Sequence, residues 1–179
     1  MMKKYLGLIL GLTVMLSCTS NENKSTQTAD STVSEETAQV SGELQFEDDN
    51  TAAVYSAYLT LKNALVNSQF EEAKQAAKAL SPVLKAYPGC ENTAITAGKI
   101  AQAKDIAGQR EAFTALSTDV IALFKHASLK KGTIYVQHCP MANDGNGGDW
   151  LASEKKIQNP YYGSEMMECG AVTEEIKAP

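Results

Sequence analysis

The chain has little of what nucleic-acid-binding proteins and most enzymes depend on. Basic residues are outnumbered, 16 Lys plus Arg against 21 Asp plus Glu, so no cationic excess is present to neutralise phosphates and nucleic acid is not an expected partner. Gly-rich phosphate loops, Ser-centred elbows, HExxH and CxxC are all missing. The two histidines leave few routes to imidazole acid–base chemistry. Only Cys139 beside His138 invites a thiol-enzyme reading, since an imidazolium lowers a thiol pKa. Sequence neighbours rarely form a nucleophile and its base, so the chain is expected not to be an enzyme. Beyond residue 17 no apolar run is long enough to cross a bilayer.

What is present begins with an export leader. Met1 to Ser17 carries Lys3 and Lys4, an apolar run from Leu6 to Leu16, and small residues before Cys18, the three parts of a secretory signal. Met15-Leu16-Ser17-Cys18 resembles a bacterial lipobox, which implies lipid on Cys18 and a membrane anchor. An ordinary signal peptide with a nearby cysteine is the alternative. Residues 18–50 are Ser-, Thr-, Asn-, Gln- and Glu-rich and read as a disordered tether, because they have too little apolar surface to offset chain entropy. With Cys18 acylated, Cys90, Cys139 and Cys169 remain, an odd number in an oxidising compartment.

From Thr51 onward the apolar spacing is helical. Val54, Tyr58, Leu61 and Leu65 form one stripe on a helix ending near Asn67, and Ser68 with Glu71 reads as a capping box for the next. That second stripe is Phe70, Ala73, Ala77, Leu80, Leu84 and Tyr87, with Pro82 as a potential kink and Pro88-Gly89 as the stop. A third, alanine-rich helix is expected over 91–107 with Ile95, Ile100 and Ile106, broken by Gly108. The fourth carries Phe113, Leu116, Val120, Leu123 and Ala127 and ends near Leu129. Four such helices with short connections predict an all-α fold, an antiparallel four-helix bundle over 51–172. To it is added a C-terminal loop-rich motif with one short β-prone segment, Thr133 to Gln137. Trp150 to Ile157 reads as one or two helical turns, and 173–179 as a tail.

The bundle serves the stretch from Gly132 to Gly170. His138, Cys139 and Met141 stand near its start, and Met166, Met167 and Cys169 near its end. Thiolate and thioether sulfur select Cu(I) and similar soft ions, and imidazole suits copper as well, so these six side chains are the candidate metal ligands, with Cu(I) or Ag(I) as the ion. Asp144, Asn146 and Asp149 do not make a calcium loop: Asp149 falls where the EF-hand needs glycine and Lys155 where it needs the bidentate glutamate. A structural disulfide between Cys139 and Cys169 is the competing reading, its loop long enough to stabilise the fold by about 3–4 kcal/mol. His138 and Cys139 point to opposite faces of an extended strand, so they share an ion only if the chain turns at Cys139-Pro140. Trp150, Tyr161 and Tyr162 read as packing residues, Gly163 as a turn glycine, Cys90 as incidental and His126 as solvated.

The segments YVQHCPMA, DWL, IQNPYYG and MMECG, preceded by AKDIAGQREAFTALS, together resemble a bacterial family of unknown function. Its members are small exported proteins or the C-terminal domain of adaptor subunits in CusB-type heavy-metal efflux pumps. The resemblance covers about residues 51–172 and implies a helical domain with a HCPM and M-x-C pair near copper or silver efflux. This chain shows no adaptor body before the helices. The expectation is a tethered envelope lipoprotein on the periplasmic or cell-surface face of a Gram-negative outer membrane. It would bind Cu(I) or Ag(I) for sequestration or transfer to an efflux adaptor or pump, with oxidation of the thiols gating capacity. The alternative is a non-catalytic envelope scaffold stapled by Cys139–Cys169.

Overall fold

The computed structural model describes residues 44–179. The expected leader, the expected lipobox at Cys18 and the expected tether up to residue 43 lie outside the described residues. The elements in order are β1 (Gln45–Phe46), α1 (Asp49–Val66), α2 (Phe70–Ala86), α3 (Glu91–Gln102), α4 (Ile106–Lys125), β2 (Leu129–Lys131), β3 (Thr133–Cys139), β4 (Gly148–Ala152) and β5 (Ala171–Lys177). A left-handed turn at Ala142–Gly145 and a 3-10 turn at Gly163–Glu165 punctuate the C-terminal part.

The helical stripes are where the spacing places them. Val54, Tyr58, Leu61 and Leu65 of α1, Ala73, Ala77, Leu80 and Leu84 of α2, and Phe113, Leu116 and Val120 of α4 are all buried. The helix ends differ from expectation for local reasons. Asp48 caps α1 by accepting the Thr51 N–H at 2.9 Å, so that helix starts two residues early and the last residues of the supposed tether are ordered. Ser68 does not cap α2. It takes a left-handed backbone (φ 54°), and its hydroxyl accepts a hydrogen bond from Arg110 instead. Asp105 accepts the Gly108 N–H at 2.8 Å, which starts α4 at Ile106 and leaves Gly108 inside its first turn, so α3 stops at Gln102 rather than near 107. Ile95 is 59% exposed. Helix α2 runs on through Pro82.

The all-α expectation is overturned. The fold is mixed: the described residues form the helices α1 to α4, a two-stranded antiparallel pair β1–β2, and a three-stranded antiparallel sheet in the order β4-β3-β5. Only β3 had a visible signature. The predicted helical turns at 150–157 are instead the end of β4 and a loop, and the predicted tail carries most of β5. Two physical reasons hid them. In β4 Gly148, Trp150, Leu151 and Ala152 are all buried, so the strand lacks the alternation of a half-buried one. Strand β5, AVTEEIK, is mostly exposed or half-buried and is held by pairing with β3 rather than by an apolar face.

The sheet is buried on both sides at its centre. Ile134, Val136 and Leu151 share one face by register, and Gln137, Cys139, Gly148 and Trp150 share the other. The second face is covered by the 153–170 segment: Gln137 Nε2 donates to the carbonyls of Glu154 (2.8 Å) and Lys156 (3.2 Å), and Tyr161 lies edge-on to Trp150. Strand β4 packs on α4 and α1. There the buried Tyr58 hydroxyl bonds to Ser117 Oγ at 2.6 Å and accepts the Leu151 N–H at 3.1 Å. A helix side chain thus takes up a strand N–H that the sheet ladder leaves over, as burial of a backbone donor requires.

Candidate functional site

The structure brings two of the six candidate ligands into direct contact. Cys139 closes β3 and is fully buried, Cys169 stands in the loop before β5 and is half-buried, and their sulfurs are 3.2 Å apart. Both are free thiols. A disulfide needs about 2.05 Å. Two thiolates at about 2.3 Å from a metal ion are about 3.8 Å apart around a tetrahedral centre and about 4.6 Å apart around a linear one. The observed contact lies between the two states and reaches either by a movement on the order of 1 Å, within the range of small χ1 adjustments. The neighbouring Cys139 sulfur, then partial burial, push the Cys169 thiol above its ordinary value, while the Met141 backbone N–H pulls the other way.

His138 is on the opposite face. Its Nδ1 lies 2.9 Å from Asp149 Oδ1 across the β3–β4 pair, and its ring fills the space over Gly147, where an added Cβ would come within 2.6 Å of Cε1. The chain does turn after Cys139, but the turn carries Met141 toward Cys169 and leaves His138 with Asp149. Met141 is 52% exposed, and its carbonyl accepts from the Tyr162 hydroxyl at 2.6 Å. Met166 and Met167 are half-buried, in the turn leading to Cys169. Among the described residues no three His, Cys, Asp or Glu side chains stand together as a metal cage, so the site is a sulfur pair with thioethers in the flanking turns.

Asn159, unremarkable in the sequence except as a stop before Pro160, holds Cys169 in place. It is fully buried. Its N–H donates to Met167 O at 3.0 Å, its Nδ2 donates to Cys169 O at 2.9 Å, its Oδ1 accepts the Tyr161 N–H at 2.8 Å, and its carbonyl accepts the Gly163 N–H at 2.9 Å. Arg110 of α4 ties the same loop to the helices, donating to Pro160 O (2.9 Å), Leu65 O (3.1 Å) and Ser68 Oγ (2.9 Å). Gly163 is required twice over: its φ is +60°, and a Cβ would meet Val66 O at 2.7 Å. The signal that marks Asn159 and Arg110 is three-dimensional, a polar side chain bridging segments far apart in sequence.

The remaining residues are structural. Trp150 is fully buried, its Nε1 donating to Gln137 Oε1 at 2.7 Å. Tyr161 packs between Trp150 and Phe113 and donates to Asp149 O at 3.0 Å. Cys90 sits at the N-cap of α3, its thiol pushed up by burial and by the Glu91 and Asp119 carboxylates. His126 is the C-cap of α4. No described helix is long and apolar enough to cross a membrane. No curated protein and no solved structure matches the chain. Residues 54–132, from within α1 through β2 and short of the sulfur pair, match the family described as Protein of unknown function (DUF3347).

Proposed function

We propose that the chain is an envelope lipoprotein, anchored through Cys18, whose Cys139 and Cys169 thiols bind Cu(I) or Ag(I) for sequestration or for transfer to an efflux adaptor or pump. The observation that carries this reading is the 3.2 Å contact between two free thiols delivered by separate segments, with three methionines in the adjoining turns. Soft ions favour sulfur ligands, and binding requires loss of the thiol protons. Met141, the exposed thioether, is the ligand an incoming ion meets first. The acidic chain suits capture of cations and no nucleic acid. The domain matched at 54–132 is compatible with the resemblance to the heavy-metal efflux family, and the pump partner rests on that resemblance alone.

The test is competition. The full chain, reduced and in detergent under anaerobic conditions, is titrated with Cu(I) against a chromogenic chelator. Retention of about one equivalent, lost in a Cys139→Ser, Cys169→Ser double variant, supports the reading; thiolate ligands dominate such a site. Equal retention by the double variant overturns it.

The same contact favours a second reading, a scaffold in which Cys139 and Cys169 form a structural disulfide. It expects reduction to cost about 3–4 kcal/mol of stability for a loop of this length and copper to change nothing in reduced protein.

A further inference from the structure

The two sulfurs are not equivalent. Cys139 lies in the central strand, pairs with Gly148 in the sheet and has no exposed surface. Tyr161 and Ala142 close over the Gly148 position beside it, where an added Cβ would lie 2.5 Å and 3.0 Å from them. Cys169 lies outside any strand and is half-buried. Its backbone is fastened, its N–H to Met166 O and its carbonyl to Asn159 Nδ2, whereas its sulfur has only the Cys139 sulfur and the Met141 N–H as partners. An exchanging thiol must line up with the disulfide it attacks, which makes access decisive. Cys169 has that access, and Cys139 has only Cys169.

We infer that Cys139 and Cys169 form an ordered thiol–disulfide couple, in which Cys169 exchanges with outside disulfides and thiols and buried Cys139 closes the internal bond. In the oxidising direction the Cys169 thiol gives its proton to water, and the resulting thiolate attacks one sulfur of an outside disulfide. A mixed disulfide forms, the outside S–S bond breaks, and one thiolate leaves to take a proton from water. Cys139 then gives its proton to water and attacks the Cys169 sulfur. The internal bond forms, the mixed bond breaks, and the second outside thiolate leaves and takes up a proton from water. Two electrons have passed from the chain to the outside disulfide. Outside thiols reverse the sequence, again at Cys169. The internal bond removes both thiolates, so the couple sets whether the site can hold a soft ion, but the exchange itself needs no metal.

The test uses the full chain in detergent with a metal chelator and glutathione disulfide as the probe, followed by peptide mapping. In Cys139→Ser, Cys169 is expected to hold a stable glutathione adduct. In Cys169→Ser, Cys139 is expected to gain one at least about tenfold more slowly, because access limits exchange. Wild type is expected to pass to the internal disulfide without accumulating adduct. Because either variant can lose its fold, the order is also read in reduced wild type by timed alkylation, with Cys169 labelled before Cys139. Labelling of Cys139 first or at an equal rate, or persistent adduct in wild type, overturns the inference. With the metal removed, that failure leaves the proposed ion binding untouched, and failed copper retention leaves the exchange order untouched.

Discussion

The helical part, Asp49–Lys125, and the sheet part, Leu129–Lys177, are built on different principles. In the helices, burial follows a local period: one stripe per helix and sequential neighbours packed together, α1 on α2, α2 on α3 and α3 on α4. Caps such as Asp48 and Asp105 act within three residues. In the sheet part the decisive bonds are long-range and polar. Gln137 reaches Trp150, Glu154 and Lys156, Asn159 reaches Cys169, and Arg110 spans from α4 to the end of α1 and to Pro160. The family match stops at residue 132, and the sulfur pair lies beyond it. A scaffold of local contacts thus supports a site assembled by distant ones.

Three measurements strain that contrast. Trp150→Ala is expected to have the largest effect. It removes a fully buried side chain and leaves Gln137 Oε1 without its donor, for a loss of about 3–5 kcal/mol. Helical circular dichroism should melt in one transition shifted to lower temperature, because the Tyr58 hydroxyl ties β4 to α1 and α4. A helical transition at the wild-type temperature beside an earlier one would show that the two parts fold separately.

Asn159→Ala comes second. It unpairs the Cys169 carbonyl and the Tyr161 N–H, for about 2–4 kcal/mol by the cost of two buried groups. Hydrogen exchange should rise around 159–171 well before the helices respond, and Cys139–Cys169 bond formation should slow. Uniform loss of protection across the molecule would instead make Asn159 a general core residue.

The smallest effect concerns Glu175 on β5, whose carboxyl is held down to about 2 from 4.5 by Lys155 and then Lys177. The folded value lies below the unfolded one, so the contribution is fully present above pH 4.5 and disappears as pH falls toward 2. Glu175→Gln should melt slightly below wild type at pH 6, and the gap should close across that window. The pair is at the surface, so added salt should also narrow it. A gap that persists at pH 2 would assign the effect to packing.

Much of the helical part was legible because amphipathic spacing is a statement about one helix at a time. Val54, Leu61, Leu80 and Phe113 needed no knowledge of what they face. The expected boundaries slipped where a side chain is engaged elsewhere, as Ser68 is with Arg110 instead of capping α2. The strand at Thr133 was visible from β-prone residues, and the closeness of Cys139 and Cys169 was among the expectations, whereas His138 as their neighbour ligand was expected on a turn that carries Met141 instead. Strands β4 and β5 were illegible for opposite reasons, one buried on both faces at its centre and the other at most half-buried along its length.

The sequence by itself determined four helices, their inward stripes and a sulfur-rich ending, because each follows from residue pattern within a few turns of chain. Tertiary structure alone decided that a three-stranded sheet replaces a loop-rich end, that His138 pairs with Asp149 away from the thiols, and that Asn159 and Arg110 hold the site. Strand pairing and buried polar bonds depend on which distant groups become neighbours, and that is set only when the helices and sheet pack together.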